Sequence, residues 1–141
     1  MTEKTGPLVF DASPILVLYR KQNGWERVLD ILGEATDNGF THYISLVNLG
    51  EVYYMLLRDH GSEAALDGLE RSRTFPIQVI RPTYDQMLQA GIFKAQGGIS
   101  YADCYAAALA VERSVPILTG DPEFSIVESN GVKVEWLPPN R

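Results

Sequence analysis

The chain has 141 residues, 18 acidic and 12 basic, for a net charge of −6; hydrophobic residues make up 45% and charged residues 21%. That balance fits one globular domain, able to bury roughly two-thirds of its unfolded surface, and excludes a disordered chain. A single cysteine, Cys104, excludes an internal disulfide or a thiolate metal cluster.

The first residues, Met1–Pro7, lack the apolar core of a signal peptide, and no apolar run approaches the ~20 residues that span a bilayer. A cytoplasmic protein is expected. The negative charge argues against simple nucleic-acid binding, which calls for a basic footprint, unless the acids hold divalent cations.

In chain order, Leu8-Val9-Phe10 reads as a buried strand ending at Asp11. Ser13, as N-cap, and Pro14 then open a short helix to about Tyr19. Trp25, Val28, Leu29, Ile31 and Leu32 recur at helical spacing before Asn38-Gly39 stops the element. His42-Tyr43-Ile44 is a second strand, and Ser45 caps a helix to about Asp59. A further amphipathic helix spans 63–73, and Ile77–Ile80, bracketed by prolines, is a strand.

Residues 84–95 are helical up to the Gly97-Gly98 break, and Ser100 starts the alanine-rich helix 101–113. Pro116-Ile117-Leu118 is a buried strand leading into Thr119-Gly120-Asp121, where Pro122 starts one more helical turn. Val132–Trp136 alternates like a half-exposed strand. Strands alternating with helices predict an α/β domain with a mostly parallel sheet, its core at about 8–137 and its ends, Met1–Gly6 and Pro138–Arg141, loose.

Ligands in such sheets bind beyond the carboxyl ends of the strands. Asp11 and Asp121 each follow an apolar strand. Glu51 sits early in a helix that is apolar on nearly every side, with Asn48 on its own face, and a carboxylate there is costly to bury without a partner. Asp103 stands three residues after Ser100, at the positive end of a largely buried helix. Each acid alone has an ordinary explanation as a loop residue, a surface residue or a cap. Four together call for a hard divalent cation, Mg2+ or Mn2+, of the kind that activates water in phosphodiester cleavage.

Val9-Phe10-Asp11-Ala12-Ser13, Asn48-Leu49-Gly50-Glu51, Ser100-Tyr101-Ala102-Asp103 and Leu118-Thr119-Gly120-Asp121-Pro122-Glu123-Phe124, in that order, resemble the PIN-domain nucleases. Within them the chain looks like the VapC-like toxins of toxin–antitoxin pairs. The resemblance implies a three-layer α/β/α sandwich and a metal-dependent endoribonuclease in which Asp11, Glu51, Asp103 and Asp121 hold Mg2+ or Mn2+. Ser13, Thr119 and Asn48 would orient carboxylates or water; Glu123 falls near the site with its role open, and Phe124 packs. It further implies an RNA substrate, an antitoxin that blocks the acids with a basic tail, and a homodimer. His42 and His60 match no motif position and read as loop or surface histidines. The basic residues, among them Arg20, Lys21, Arg27, Arg58, Arg71, Arg73, Arg81 and Lys94, are scattered, with no run to mark an RNA groove.

Rival uses of strand-end acids fit less well. A receiver-type phosphoacceptor needs an acidic pair at the first strand and a later lysine, and an aspartyl phosphatase needs Asp-x-Asp where this chain has Asp11-Ala12-Ser13. A non-catalytic PIN-like domain that binds RNA or protein is the alternative, and retention of all four acids counts against it.

Overall fold

The computed structural model describes residues 5–138. Most of the two ends expected to be loose, Met1–Lys4 and Pro139–Arg141, lies outside the described residues. Thr5 and Gly6 do not behave as a loose end: both backbone N–H groups donate to Glu34 Oε1, at 2.9 and 3.3 Å.

The described residues form five strands: β1 Val9–Phe10, β2 His42–Ser45, β3 Ile77–Ile80, β4 Ile117–Thr119 and β5 Val134–Trp136. They make one sheet in the order β3-β2-β1-β4-β5, parallel throughout. Seven helices surround it: α1 Ser13–Arg20, α2 Trp25–Asn38, α3 Leu46–His60, α4 Ser62–Ser72, α5 Tyr84–Gln96, α6 Tyr101–Arg113 and α7 Ser125–Ser129.

The period of two in the central strands builds the layers. Leu8, Phe10, Ile44 and Leu118 face α1, α2, α3 and α4 in one apolar cluster. Val9 and Ile117 face the opposite way, into a cluster dominated by Cys104 to Ala110 of α6 with Phe93 and Val127. Because these strands are covered on both faces, they read in sequence as continuous apolar runs. The result is the α/β/α sandwich expected of the sequence.

Two further expectations need correction. Ser13 is not the N-cap of α1: Ala12 holds that position and makes no side-chain cap, while Ser13 is the first helical residue. Its hydroxyl is drawn away to Asp11. His42 is neither a loop nor a surface residue but a fully buried member of β2. Leu8 N–H donates to its Nδ1 at 3.0 Å, so the proton sits on Nε2, which lies 3.1 Å from Ile31 O. His60, the last residue of α3, is exposed, as expected.

Candidate active site

From β1 the chain steps to β2 and β3 on one side, then returns to β4 on the other, so the switch point lies between β1 and β4. Asp11 leaves the carboxyl end of β1 there, and Thr119-Gly120-Asp121 leaves β4 beside it.

Two hydroxyls hold Asp11. Ser13 Oγ donates to Oδ1 at 2.8 Å, with Ser13 N–H on the same oxygen at 3.2 Å, and Thr119 Oγ1 donates to Oδ2 at 2.7 Å. Each hydroxyl also accepts from the β4 loop, Ser13 from Gly120 N–H and Thr119 from Asp121 N–H. Burial nevertheless dominates: it pushes the Asp11 carboxyl up to about 7, against the Thr119 and Ser13 hydrogen bonds and with some help from Asp121.

Asp103 enters from the first turn of α6, whose N-cap Ser100 accepts from Asp103 N–H at 3.2 Å. It is 4% exposed. Burial, and then the charges of Asp11, Glu51 and Asp121, push its carboxyl up to about 9, with Ser100 opposing. Glu51, on α3, is also raised by burial; the Asn48 side chain opposes that shift, and Asp121 and Glu123 add to it. The four acids chosen from sequence therefore feel one another, although they arise on four separate elements.

Asp121 caps the short 3₁₀ turn Pro122–Phe124 by accepting Glu123 N–H at 2.9 Å. That turn brings Glu123 into the cluster: carboxylate oxygens of Asp103, Asp121 and Glu123 all lie within 4.8 Å of one another. Asn48 is fully buried, and its Nδ2 donates to Ala102 O at 3.2 Å, which ties α3 to the residue before Asp103. Among the described residues the buried Asn48 Oδ1 and Glu51 Oε1 have no hydrogen-bond partner. Converging oxygen donors, raised carboxyls and unsatisfied buried oxygens all suit a hard divalent cation.

A model of the PIN domain matches residues 8–130. The chain belongs to the PIN domain family. Its members are nucleases, and the match takes in every element from β1 through α7. Sequence comparison with curated proteins gives no match.

Three solved structures show how this PIN domain resembles VapC toxins in fold. VapC20 of Mycobacterium tuberculosis, described as a sarcin-ricin loop cleaving toxin, is 19% identical with TM-score 0.71, covering 93% of this chain and 99% of that one. VapBC2 from Rickettsia felis, bound to a promoter DNA fragment, is 15% identical with TM-score 0.71, covering 93% and 98%. DNA-bound VapBC from Salmonella typhimurium is 18% identical with TM-score 0.71, covering 92% and 96%. Among the described residues no helix is long and apolar enough to cross a membrane.

Sequence reasoning placed Glu123 near the site and left its role open. The signal for it was Pro122, which starts a tight turn and so carries the next side chain back toward Asp121. What no linear signal could show is the groove beside the cluster, lined from α1, α3, the β4 loop and the end of β5.

Proposed function

We propose that this PIN domain is a Mg2+- or Mn2+-dependent endoribonuclease and the cytoplasmic toxin of a toxin–antitoxin pair. The observation that carries this reading is the convergence of Asp11, Glu51, Asp103 and Asp121 at the switch point, with the carboxyls of Asp11 and Asp103 raised to about 7 and 9. Such a cluster opposes its own ionisation unless a cation compensates the charge.

Asp11, Glu51, Asp103 and Asp121 would hold the metal, and Glu123 lies close enough to join them. A divalent cation so bound supplies Lewis acidity at a phosphodiester and lowers the pKa of an attacking water. The protein's own part is positional. Ser13 and Thr119 commit their protons to Asp11 and keep it an acceptor; Asn48 fixes the α3–α6 spacing; the Asp121 cap holds the 3₁₀ turn.

The partner reading rests on the neighbours solved as VapBC assemblies. An antitoxin with a basic tail complements this acidic cluster. The homodimer is supported by an exposed apolar stripe on α5, where Tyr84, Leu88 and Ile92 recur every four residues. Ile92→Glu is expected to halve the sedimenting mass; a monomeric wild-type protein would sink the dimer.

The test of the function is cleavage of total RNA with Mg2+ or Mn2+, with EDTA and Asp11→Asn controls. Metal-dependent cleavage lost in the variant is the expected result. Inert behaviour of the folded, metal-loaded protein would overturn the nuclease in favour of a binding-only PIN domain.

A further inference from the structure

Basic residues scattered along the sequence are gathered by the fold. On α1, Ser13, Leu16, Val17 and Arg20 fall at i, i+3, i+4 and i+7, a single helix face. All four line a groove of about 660 Å³ that begins at Gly120 and Asp121. α3 repeats the order on its own face: Glu51 at the acid cluster, Met55 in the groove, and Arg58 seven residues on from Glu51. Each helix thus presents a polar site residue, then apolar surface, then a cation. The seven-residue step from Ser13 to Arg20 spans about 10 Å along the axis, the reach of a short oligonucleotide.

At the far end one carboxylate serves two guanidiniums: Asp59 accepts Arg20 Nη2 at 2.7 Å and Arg58 Nε at 3.0 Å. That trio keeps a net positive charge and several N–H donors to spare. Exposed ion pairs of this kind are weak, so a phosphate can compete for the arginines. Arg20 also lines a second cavity, of about 530 Å³, with His60, Asp67 and Arg71. Arg71 stands 5.0 Å over the Tyr19 ring.

A chain of net charge −6 therefore sets Arg20 in the groove one helix face along from the carboxylate cluster, links it through Asp59 to Arg58, and places Arg71 in the adjoining cavity that Arg20 shares. A strand of phosphates is complementary to that end, and a basic peptide is not. Trp136, at the end of β5, also lines the groove; it is 39% exposed, its Nε1 held by Glu128 Oε2 at 3.1 Å. A half-exposed, anchored indole offers a base a stacking face without sequence preference.

We infer that this groove is the track of the substrate: single-stranded RNA whose phosphates beyond the cleaved bond lie on Arg20, Arg58 and Arg71, with a base stacked on Trp136. The inference deepens the ribonuclease reading and rests on it for the nature of the strand.

The experiment is fluorescence anisotropy of a short labelled single-stranded RNA across a salt titration, in EDTA so that nothing is cut. Arg20→Ala and Arg58→Ala should each weaken binding about 5- to 20-fold, whatever the base sequence, and reduce the salt slope by about 0.7. Trp136→Ala should weaken it about 5- to 100-fold and leave the slope unchanged. Arg113→Ala is the control: Arg113 ends α6 and stacks over Tyr43, 4.8 Å from its ring, away from the groove. The Arg58 side chain is 62% exposed and can be removed without disturbing the core.

Affinity and slope unmoved in Arg20→Ala and Arg58→Ala overturn the track. So does wild-type RNA binding in variants that have lost a co-purifying protein partner, because the groove then belongs to that partner. Cleavage measured in parallel separates the two failures. Metal-dependent cleavage indifferent to the arginines removes the track and leaves the nuclease; arginine-dependent binding without cleavage does the reverse.

Discussion

Thr119 Oγ1 donates to Asp11 Oδ2 across 2.7 Å and joins residues 108 positions apart at the carboxyl ends of β4 and β1. Ser13 Oγ mirrors it on Oδ1 at 2.8 Å. Since each hydroxyl has one proton and both protons go to Asp11, the 3.3 Å approach of Ser13 Oγ to Thr119 Oγ1 has no hydrogen left to share. The two loops that bear acids are locked to each other through this carboxylate.

Thr119→Val keeps the volume and removes the hydroxyl. Asp11 Oδ2 and Asp121 N–H then lose their partners in a buried setting, at a cost of about 1–3 kcal/mol of stability by thermal or urea unfolding. Metal-dependent RNA cleavage should fall about 10- to 100-fold, the usual effect of losing a group that orients a metal ligand. Thr119→Ser should restore most of both. A Val variant as active as the wild type would show that the hydroxyl only packs.

Asp103→Asn should abolish cleavage and yet stabilise the metal-free protein. The Asp103 carboxyl is raised from 3.8 to about 9 in the folded state, so between those values the unfolded chain ionises and the folded one does not. That carboxyl therefore costs increasing stability as pH rises through this window, and asparagine relieves the cost. In EDTA the variant's Tm should exceed the wild type's by roughly 3–10 °C at pH 8, and by less at pH 5. A lower Tm at pH 8 would contradict the crowding of charge.

Glu123 is tested through metal-induced stabilisation. Mn2+ at about a hundred times its Kd should add about 2.7 kcal/mol to the wild type. In Glu123→Gln the Mn2+ needed for the same Tm shift should rise about tenfold, since one carboxylate of the Asp103–Asp121–Glu123 group becomes a neutral amide. An identical titration in the variant would place Glu123 outside the ligand set.

His42 sets an acid limit of a different origin. Burial lowers its pKa from 6.5, with the contact to Ile31 O and the charge of Glu34 opposing. Its contribution is complete above 6.5; below that value the unfolded chain takes up the proton and the folded one resists, so stability is lost as pH falls, by up to about 1.4 kcal/mol per unit. The raised carboxyls of Asp11 and Asp103 slope the other way over part of the same range, so the comparison must be between proteins. His42→Asn, melted beside the wild type from pH 5 to 8, should remove the histidine's share of the slope. Parallel curves would show that His42 does not titrate on unfolding.

The strands at Val9–Phe10, Ile77–Ile80 and Ile117–Thr119 and the helix over Tyr101–Arg113 were legible in the sequence, as was the position of each of the four acids on its element. Their signals are local: apolar runs in the central strands, the prolines that bracket Ile77–Ile80, Ser45 and Ser100 as caps, Gly and Pro as stops, and acids just beyond strand ends or early in a helix. The cap assigned to Ser13 failed because its hydroxyl gives its proton to Asp11 and accepts Gly120 N–H from the β4 loop, a partner 107 residues away. His42 was misread because its partners, Leu8 N–H and Ile31 O, come from other elements.

By itself, then, the order of residues determined the alternation of strands and helices of an α/β domain and which acids stand at strand ends, because period, caps and breakers act over a few residues. Only the tertiary structure decided that Glu123 turns back to Asp121, that Asp59 bridges Arg20 and Arg58, and that Leu16, Val17 and Trp136 wall one groove. Those relationships depend on strand order and helix docking, and charges far apart in sequence become one field only after the chain has packed.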